Sequence, residues 1–418
     1  MADVVILTGA GASRDAGLAT TLELTSLLDQ VLEREGDETS LTVYRYVVGG
    51  LLKARALQGE SPFEPLNVEQ VFSAVDLLGQ RHELEAAPFV GSWDDGVLAL
   101  DREPPQADDL VTELMRSFGD SLPHGSYLGG GGLYPLRASE RLNEALQNAV
   151  LDSVRPGDGF VFKVAAEQML ACLGTLLTVG ESADVRYLHE LLRFADEQHA
   201  VLATLNYDSA LELACGDLGF EWSDGVADWM NTRRVSFPVG PIQLVKLHGS
   251  LSWSFGKLLR TPLLFGSRDK LRVDGPFLDL LLTFRAALDK AKVLLVVGYS
   301  FGDAHVNHFI DEWLARPDSH IVNVNPTRPV NVRPYDTSLR ARISRGNAEY
   351  FTTIERGAAV GLEQAITAVR ARLDEVAGSD RITCGFCGRT NPAGSEQCAG
   401  CGRNPETGDF PFPRSFGT

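Results

Sequence analysis

Apolar residues gather along this chain in two recurring forms. Some are short, mostly apolar runs that stop at Gly, Asn or His, and others return every three or four positions over longer stretches. Val4 to Thr8, Ala200 to Leu205, Ile242 to Leu247, Val293 to Val297 and Ile321 to Val324 are of the first form. It predicts strands buried on both faces, as in a parallel sheet. The second form predicts helices over 20–35, with Leu22, Leu24, Leu27, Leu28 and Val31 on one side, and over 184–199, with Leu188, Leu191, Leu192 and Phe194. It also predicts helices over 278–291, 305–315 and 362–376. In the last, Leu362, Ile366, Val369, Leu373 and Val376 alternate steps of four and three, which suits either the chain's own core or a partner helix. Strands alternating with helices at this spacing predict an α/β fold with a Rossmann-like, doubly wound parallel sheet.

Residues 36–150 break that rhythm. Helices are expected over 40–57 and 68–78, followed by Pro, Gly and acidic residues that include Pro104-Pro105 and Gly129 to Gly132. This composition predicts an inserted helical subdomain with long loops. The sheet domain is then expected over 1–35 and 151–360, with a helix and linker over 361–380, a small cysteine-rich module over 381–405 and a tail over 406–418. Phe410, Phe412 and Phe416 stand among prolines in that tail, which reads either as an extended docking segment or as unstructured chain.

Bulk properties narrow the function classes. The 418 residues suffice for two or three compact units, and the 44% hydrophobic and 22% charged shares are ordinary for a globular protein. A formal net charge of -18 argues against a general nucleic-acid surface, because phosphate attraction needs exposed Lys and Arg. Apolar runs such as Val293 to Val297 fall far short of the roughly 20 residues that span a bilayer. Met1-Ala2-Asp3 lacks the basic start of a secretion signal, so a cytoplasmic setting is expected. Cys172 and Cys215 stand alone in apolar sequence and are expected to be buried thiols.

Candidate chemistry collects where strands end. Thr8-Gly9-Ala10-Gly11-Ala12-Ser13 suits a dinucleotide turn, with backbone N–H groups approaching a pyrophosphate and a following helix adding a favourable field, although Arg14 replaces the third glycine of the usual pattern. Thr204-Leu205-Asn206-Tyr207-Asp208 places an amide and a carboxylate either at the crevice outside the sheet or as caps of a helix containing Leu211 and Leu213. Lys246-Leu247-His248-Gly249-Ser250 offers a histidine suited to accepting a proton near neutrality. Gly298-Tyr299-Ser300-Phe301-Gly302-Asp303 and Asn325, stopped by Pro326, complete a set of five strand ends.

Together these residues resemble the sirtuin superfamily, and more closely its divergent bacterial branch of NAD hydrolases that act in anti-phage defence. The resemblance covers 3–35 and 195–330. It implies that Gly9, Ala10, Gly11, Ala12 and Ser13 contact the NAD pyrophosphate, and that Asn206 orients the ribose or the attacking water. It further implies that Asp208, with Thr204 and Tyr207 beside it, serves the nicotinamide end, that His248 is the general base, and that Gly298, Tyr299, Ser300, Asp303 and Asn325 line the ribose and phosphate side. Catalysis would fall to Asn206, His248 and Asp208, with NAD as substrate. The Pro-Asp-Phe-Arg-like stretch of the protein deacylases is missing after Leu18, and no cysteine lies between His248 and Gly298. Hydrolysis of NAD is therefore expected ahead of lysine deacylation or a non-catalytic binding role. The resemblance also implies depletion of NAD in abortive infection, a homo-oligomer, and control by a phage component or a companion protein of ATPase, nuclease or Argonaute type.

Cys384-Gly-Phe-Cys387 and Cys398-Ala-Gly-Cys401, separated by ten residues, form a four-cysteine pattern. Four thiolates at this spacing predict a closed, structural Zn2+ site that resembles a zinc ribbon, with docking on a protein or a nucleic acid as its use.

Overall fold

The computed structural model describes residues 3–61, 63–81, 83–84, 96–97, 100, 159–180, 184–254, 263–264, 275–316, 319–327, 339–345, 350–378, 381–388, 390–392, 397–398, 401 and 403–409. The expected loops at Pro104-Pro105 and Gly129 to Gly132, and the aromatic tail, lie outside them. Seven strands form one sheet: β1 (Val4–Thr8), β2 (Val201–Thr204), β3 (Trp222–Ser223), β4 (Ile242–Lys246), β5 (Val293–Val297), β6 (His320–Val324) and β7 (Phe351–Ile354). Their order is β3-β4-β2-β1-β5-β6-β7, and every pairing is parallel. All residues of β1, β5 and β6 are buried; β1 and β5 read as apolar runs for that reason, whereas β6 carries His320 and Asn323 within it. Thr8 pairs with Thr204 and Val297, and Thr204 with Lys246, so four carboxyl ends stand level. From β1 the chain builds toward β2 and later crosses to β5, which makes the β1/β5 border the topological switch point.

The chain divides into two compact units, residues 1–20 with 177–418, and residues 21–176. The second is wider at both ends than the expected 36–150 insertion. It contains α1 (Thr21–Glu35), α2 (Glu38–Leu57), α3 (Val68–Gly79) and α4 (Phe160–Leu177). Helix α1 joins this unit because α2 and α3 cover its apolar face. That face is Leu24, Leu28, Val31 and Leu32, whereas Leu22, expected on it, is 44% exposed. Tyr44 in α2 donates its hydroxyl to Thr25 O at 2.5 Å, and Thr25 Oγ1 donates to Leu66 O at 2.7 Å. Asp37 and Asn67 cap α2 and α3 by accepting from Ser40 N and Glu69 N. Among the described residues α4 alone is long and apolar enough to cross a membrane by length and composition. Its Phe162, Ala165, Met169, Cys172 and Leu173 are buried at three- and four-residue steps, the signature of a core helix.

The longer helices flanking the sheet are α5 (His189–Glu197), α6 (Ala210–Leu218), α7 (Phe277–Leu288), α8 (Ala304–Leu314), α9 (Leu339–Arg345) and α10 (Ala358–Gly378). Helices α7, α8 and α9 share one apolar core with Leu7, Leu205, Leu247 and Val296. On the opposite face α5, α6 and α10 pack with Ile6, Leu202, Leu244, Leu295 and Val322. The fold is thus a Rossmann-like α/β sheet covered on both faces, as expected. The α10 stripe goes to the chain's own core, with Leu362, Ala365, Ile366 and Val369 buried against the sheet. Cys215 is likewise buried in α6, and that burial pushes its thiol pKa up to about 12. Beyond α10, β8 (Arg381–Thr383) and β9 (Thr390–Pro392) form an antiparallel hairpin.

Candidate functional site at the strand ends

The turn after β1 lies directly on the turn after β5. A Cβ on Gly9 would stand 2.8 Å from Gly298 O, and one on Gly11 2.9 Å from Gly298 Cα. A Cβ on Gly298, where φ is +65°, would meet Ala12 N at 2.2 Å. Three glycines are therefore needed so that two backbones can touch at the switch point. Gly9 N donates to Val297 O (2.9 Å), Gly11 N to Gly298 O (2.9 Å), Ala12 N to Gly9 O (2.8 Å) and Ser13 N to Ala10 O (3.2 Å). This differs from the expected task of the two glycines, since their N–H groups hold the turn itself. Ala10 has the one N–H in Gly9–Ser13 that makes no hydrogen bond among the described residues. No α-helix follows immediately, only the 3₁₀ turns Ala10–Ala12 and Arg14–Ala16, so the expected helix field is missing there.

Asn206, just past β2, joins this turn. Its Nδ2 donates to Gly9 O and to Ser13 Oγ, both at 3.0 Å. A carbonyl only accepts, so the bond to Gly9 fixes which way the amide faces, and Oδ1 makes no hydrogen bond among the described residues. Ser13 Oγ donates in turn to Asp208 Oδ1 at 3.2 Å, and the same oxygen caps α6 by accepting from Ala210 N at 3.0 Å. Of the two sequence-based roles for Asp208, the contact with the first turn of α6 is therefore made by the same atom that accepts from Ser13. Thr204 Oγ1 accepts from Asn206 N at 3.1 Å and stiffens the bend.

Lys246, fully buried at the end of β4, supports this cluster from below. Its Nζ donates to Asp208 O at 2.7 Å and to Glu212 Oε1 at 2.5 Å. Burial raises the pKa of Asp208, opposed by the Ala210 N–H, by Lys246 and by the Ser13 hydroxyl. Burial raises Glu212 as well, and its ion pair with Lys246 opposes the rise. Neither Lys246 nor Glu212 stands out in the sequence. A lysine closing an apolar strand is the available signal, but its partner lies 34 residues away.

His248, past β4, belongs to a second cluster. It is 1% exposed, with Nε2 3.7 Å from Asp303 Oδ1 and its ring stacked 5.5 Å from that of His305. The Tyr207 ring stands 6.2 Å away, and the Tyr207 hydroxyl donates to Leu264 O at 2.7 Å. Leu264 N bonds to His248 O at 2.9 Å, tying the chain around the imidazole. Tyr207, adjacent to Asn206, bridges the two clusters along the chain. His305 is the member of this cluster that sequence reasoning misses, because it reads as one position of an amphipathic helix.

The β5 turn is braced from within. Tyr299 Oη donates to Asn307 Oδ1 and accepts from Asp303 N, both at 3.0 Å, while Asn307 Nδ2 holds Phe301 O at 2.8 Å. Phe301 is thereby kept at φ +57°, a conformation rare for a side-chain-bearing residue. Asn325 Nδ2 donates to Tyr299 O (3.2 Å), and Asn325 Oδ1 accepts from Thr327 N (3.3 Å). Its amide is thus engaged in the turn. Ser300 is exposed and makes no hydrogen bond among the described residues. A cleft of about 440 Å³ between α7 and α8, lined by Arg285, Phe309, Glu312 and Arg316, lies at the other end of α8 from His305.

The four ribbon cysteines converge, with Cys384 Sγ 3.6 Å from Cys401 Sγ and Cys387 Sγ 3.5 Å from Cys398 Sγ. A tetrahedral Zn2+ with bonds of about 2.3 Å requires sulfur separations of about 3.8 Å, so the donor set fits that ion.

Residues 200–341 match the SIR2-like domain family, and the chain thus contains a divergent SIR2-like domain. The match takes in Asn206, Asp208, His248, Gly298 and Asn325, and leaves out the Gly9–Ser13 turn. Solved structures similar to this chain include a Sir2 homologue variant in complex with ADP-ribose, at 10% identity and a TM-score of 0.34, covering 89% of this chain and 93% of that one. Another is a Sir2 homologue in complex with NAD, at 12% identity and a TM-score of 0.33, covering 88% and 90%. None of the curated proteins matches the chain.

Proposed function

We propose that the chain binds NAD across the β1/β5 switch point and hydrolyses its nicotinamide–ribose bond. The observation that carries this reading is the Asn206 amide, whose donors are fixed on Gly9 O and Ser13 Oγ so that Oδ1 is left to accept from a water or a ribose hydroxyl. The SIR2-like match, which takes in Asn206 and the β5 end but not the β1 turn, supports it, as does a buried imidazole one strand away.

In this scheme the C–N bond breaks with its electron pair going to the pyridinium ring, which leaves as neutral nicotinamide. The ribose becomes oxocarbenium-like at its anomeric carbon. Water held by Asn206 Oδ1 attacks that carbon, and His248 takes the proton, giving nicotinamide, ADP-ribose and H⁺. General-base help is worth about 10²–10⁴ in rate, so positioning and fixed dipoles must supply the rest. The Ala10 N–H, which makes no hydrogen bond among the described residues, is the group of the first turn assigned to a pyrophosphate oxygen. Asp208 acts by holding Ser13 and capping α6, on the nicotinamide side of the turn. Cys384, Cys387, Cys398 and Cys401 would hold Zn2+ in the ribbon, where the ion would order that module and lie outside the chemistry. In a cell such an activity removes NAD, which suits abortive defence against phage and calls for restraint by oligomerisation, a companion protein or a phage-derived trigger.

Incubation with NAD, followed by mass spectrometry of nicotinamide and ADP-ribose, tests the reading. Asn206→Ala and His248→Ala are each expected to abolish release while keeping the circular dichroism of the folded chain. Undiminished release by either variant ends the assignment.

A further inference from the structure

We propose that His248, Asp303 and His305 form a binding site for a divalent ion of the Zn2+ class, and that this ion switches off the chemistry assigned to His248. The second clause rests on the hydrolase reading; the first rests on geometry alone. One ligand atom from each of the three residues lies within 4.8 Å of the others. The His248 Nε2 to Asp303 Oδ1 separation is 3.7 Å. A tetrahedral ion with bonds of about 2.0–2.1 Å spaces its ligand atoms about 3.3–3.4 Å apart, so the His248–Asp303 edge closes with a shift of a few tenths of an ångström. The two imidazoles already stack, with planes inclined by 28°.

The donor set selects the ion. Two imidazoles and a carboxylate suit zinc and its neighbours in the first transition row, whereas Mg2+ and Ca2+ prefer all-oxygen shells. The scaffold is built before any ion arrives. His248 follows β4 with its carbonyl bonded to Leu264 N, Asp303 N is bonded to the Tyr299 hydroxyl, and His305 lies in the first turn of α8. Asn307, two residues on, fastens that turn to Tyr299 and Phe301. Three protein ligands leave one tetrahedral position for water, unlike the closed four-thiolate arrangement of the ribbon. Coordination uses the lone pair with which His248 would accept a proton, so ion binding and general-base action exclude each other.

The test uses the full chain with its ribbon already loaded. Equilibrium dialysis against Zn2+ with metal counting is expected to give two ions per wild-type chain and one for His305→Ala. In the same samples Zn2+ is expected to slow nicotinamide release by the wild type about 10²–10⁴-fold, the value of a general base, and to leave the His305→Ala rate unchanged. Asp303→Asn should weaken the second ion without removing an imidazole. Equal zinc counts in wild type and His305→Ala overturn the site. A wild-type chain that fills the site and releases nicotinamide at the same rate as with the ribbon alone loaded overturns the switch. A chain that takes the second ion through His305 but never releases nicotinamide sinks the hydrolase reading and leaves the metal site standing.

Discussion

At the scale of single residues, the site depends on atoms that are missing and on one buried charge. Gly298 cannot carry a side chain without driving a Cβ into Ala12 N, so Gly298→Ala is expected to cost about 1–3 kcal/mol of stability. Gly216 in α6 has open space around its Cα, and Gly216→Ala should instead stabilise by up to about 1 kcal/mol. Urea unfolding of the two variants checks the opposite signs. Lys246 gives a pH-dependent prediction. Burial lifts the folded pKa of Glu212 above its unfolded value, so the folded state binds more protons there and stability falls as pH rises through that window. Lys246 opposes this fall. Lys246→Met should therefore be nearly tolerated at pH 4 and destabilised by about 3–5 kcal/mol at pH 8, with recovery when Glu212→Gln is added. A deficit equal at both pH values would show that Lys246 acts only by packing.

At the scale of elements, legibility follows burial. β1 and β5 are plain in the sequence because a strand buried on both faces is an apolar run, β6 less so because Asn323 interrupts it, and Gly9, Gly298 and Asn325 mark where each stops. β7, with Thr352 and Thr353 between Phe351 and Ile354, and the two-residue β3 lack that contrast. Helix α4 is legible only as the helix-like apolar surroundings of Cys172, without bounds, because apolar residues on all its sides blur its period. Asn206, Asp208 and His248 are legible as strand-end polar groups, but their partners are not. The use of Gly9 and Gly11 N–H groups by β5 is a long-range fact that no local motif contains. The ribbon is legible from spacing alone, and it carries its own prediction. A two-stranded hairpin is marginal without support, so Zn2+ removal by a chelator should abolish hydrogen-exchange protection at Ile382 and Asn391 while leaving β1 and β5 protected. Retained protection in the hairpin would mean that the four thiols do not depend on metal to order it.

At the scale of the whole molecule, two units with separate cores share one chain that passes between them twice, at residues 20–21 and 176–177. Leu28, Tyr44, Val71, Phe162 and Met169 are buried within residues 21–176, and the sheet unit has two apolar layers of its own. Each therefore has the means to melt as its own cooperative unit. Calorimetry is expected to resolve two transitions. NAD, assigned to the switch point, should raise the one belonging to the sheet. His248→Ala is the variant to use, since it keeps the ligand intact through the scan. At a hundredfold excess over its dissociation constant, a ligand stabilises by about 2.7 kcal/mol, equivalent to a rise of roughly 5–10 °C for a unit of this size. A single peak that moves as a whole would mean that the units unfold as one. Two peaks that both ignore NAD would remove the dinucleotide from the crevice, and with it the chemistry assigned to Asn206.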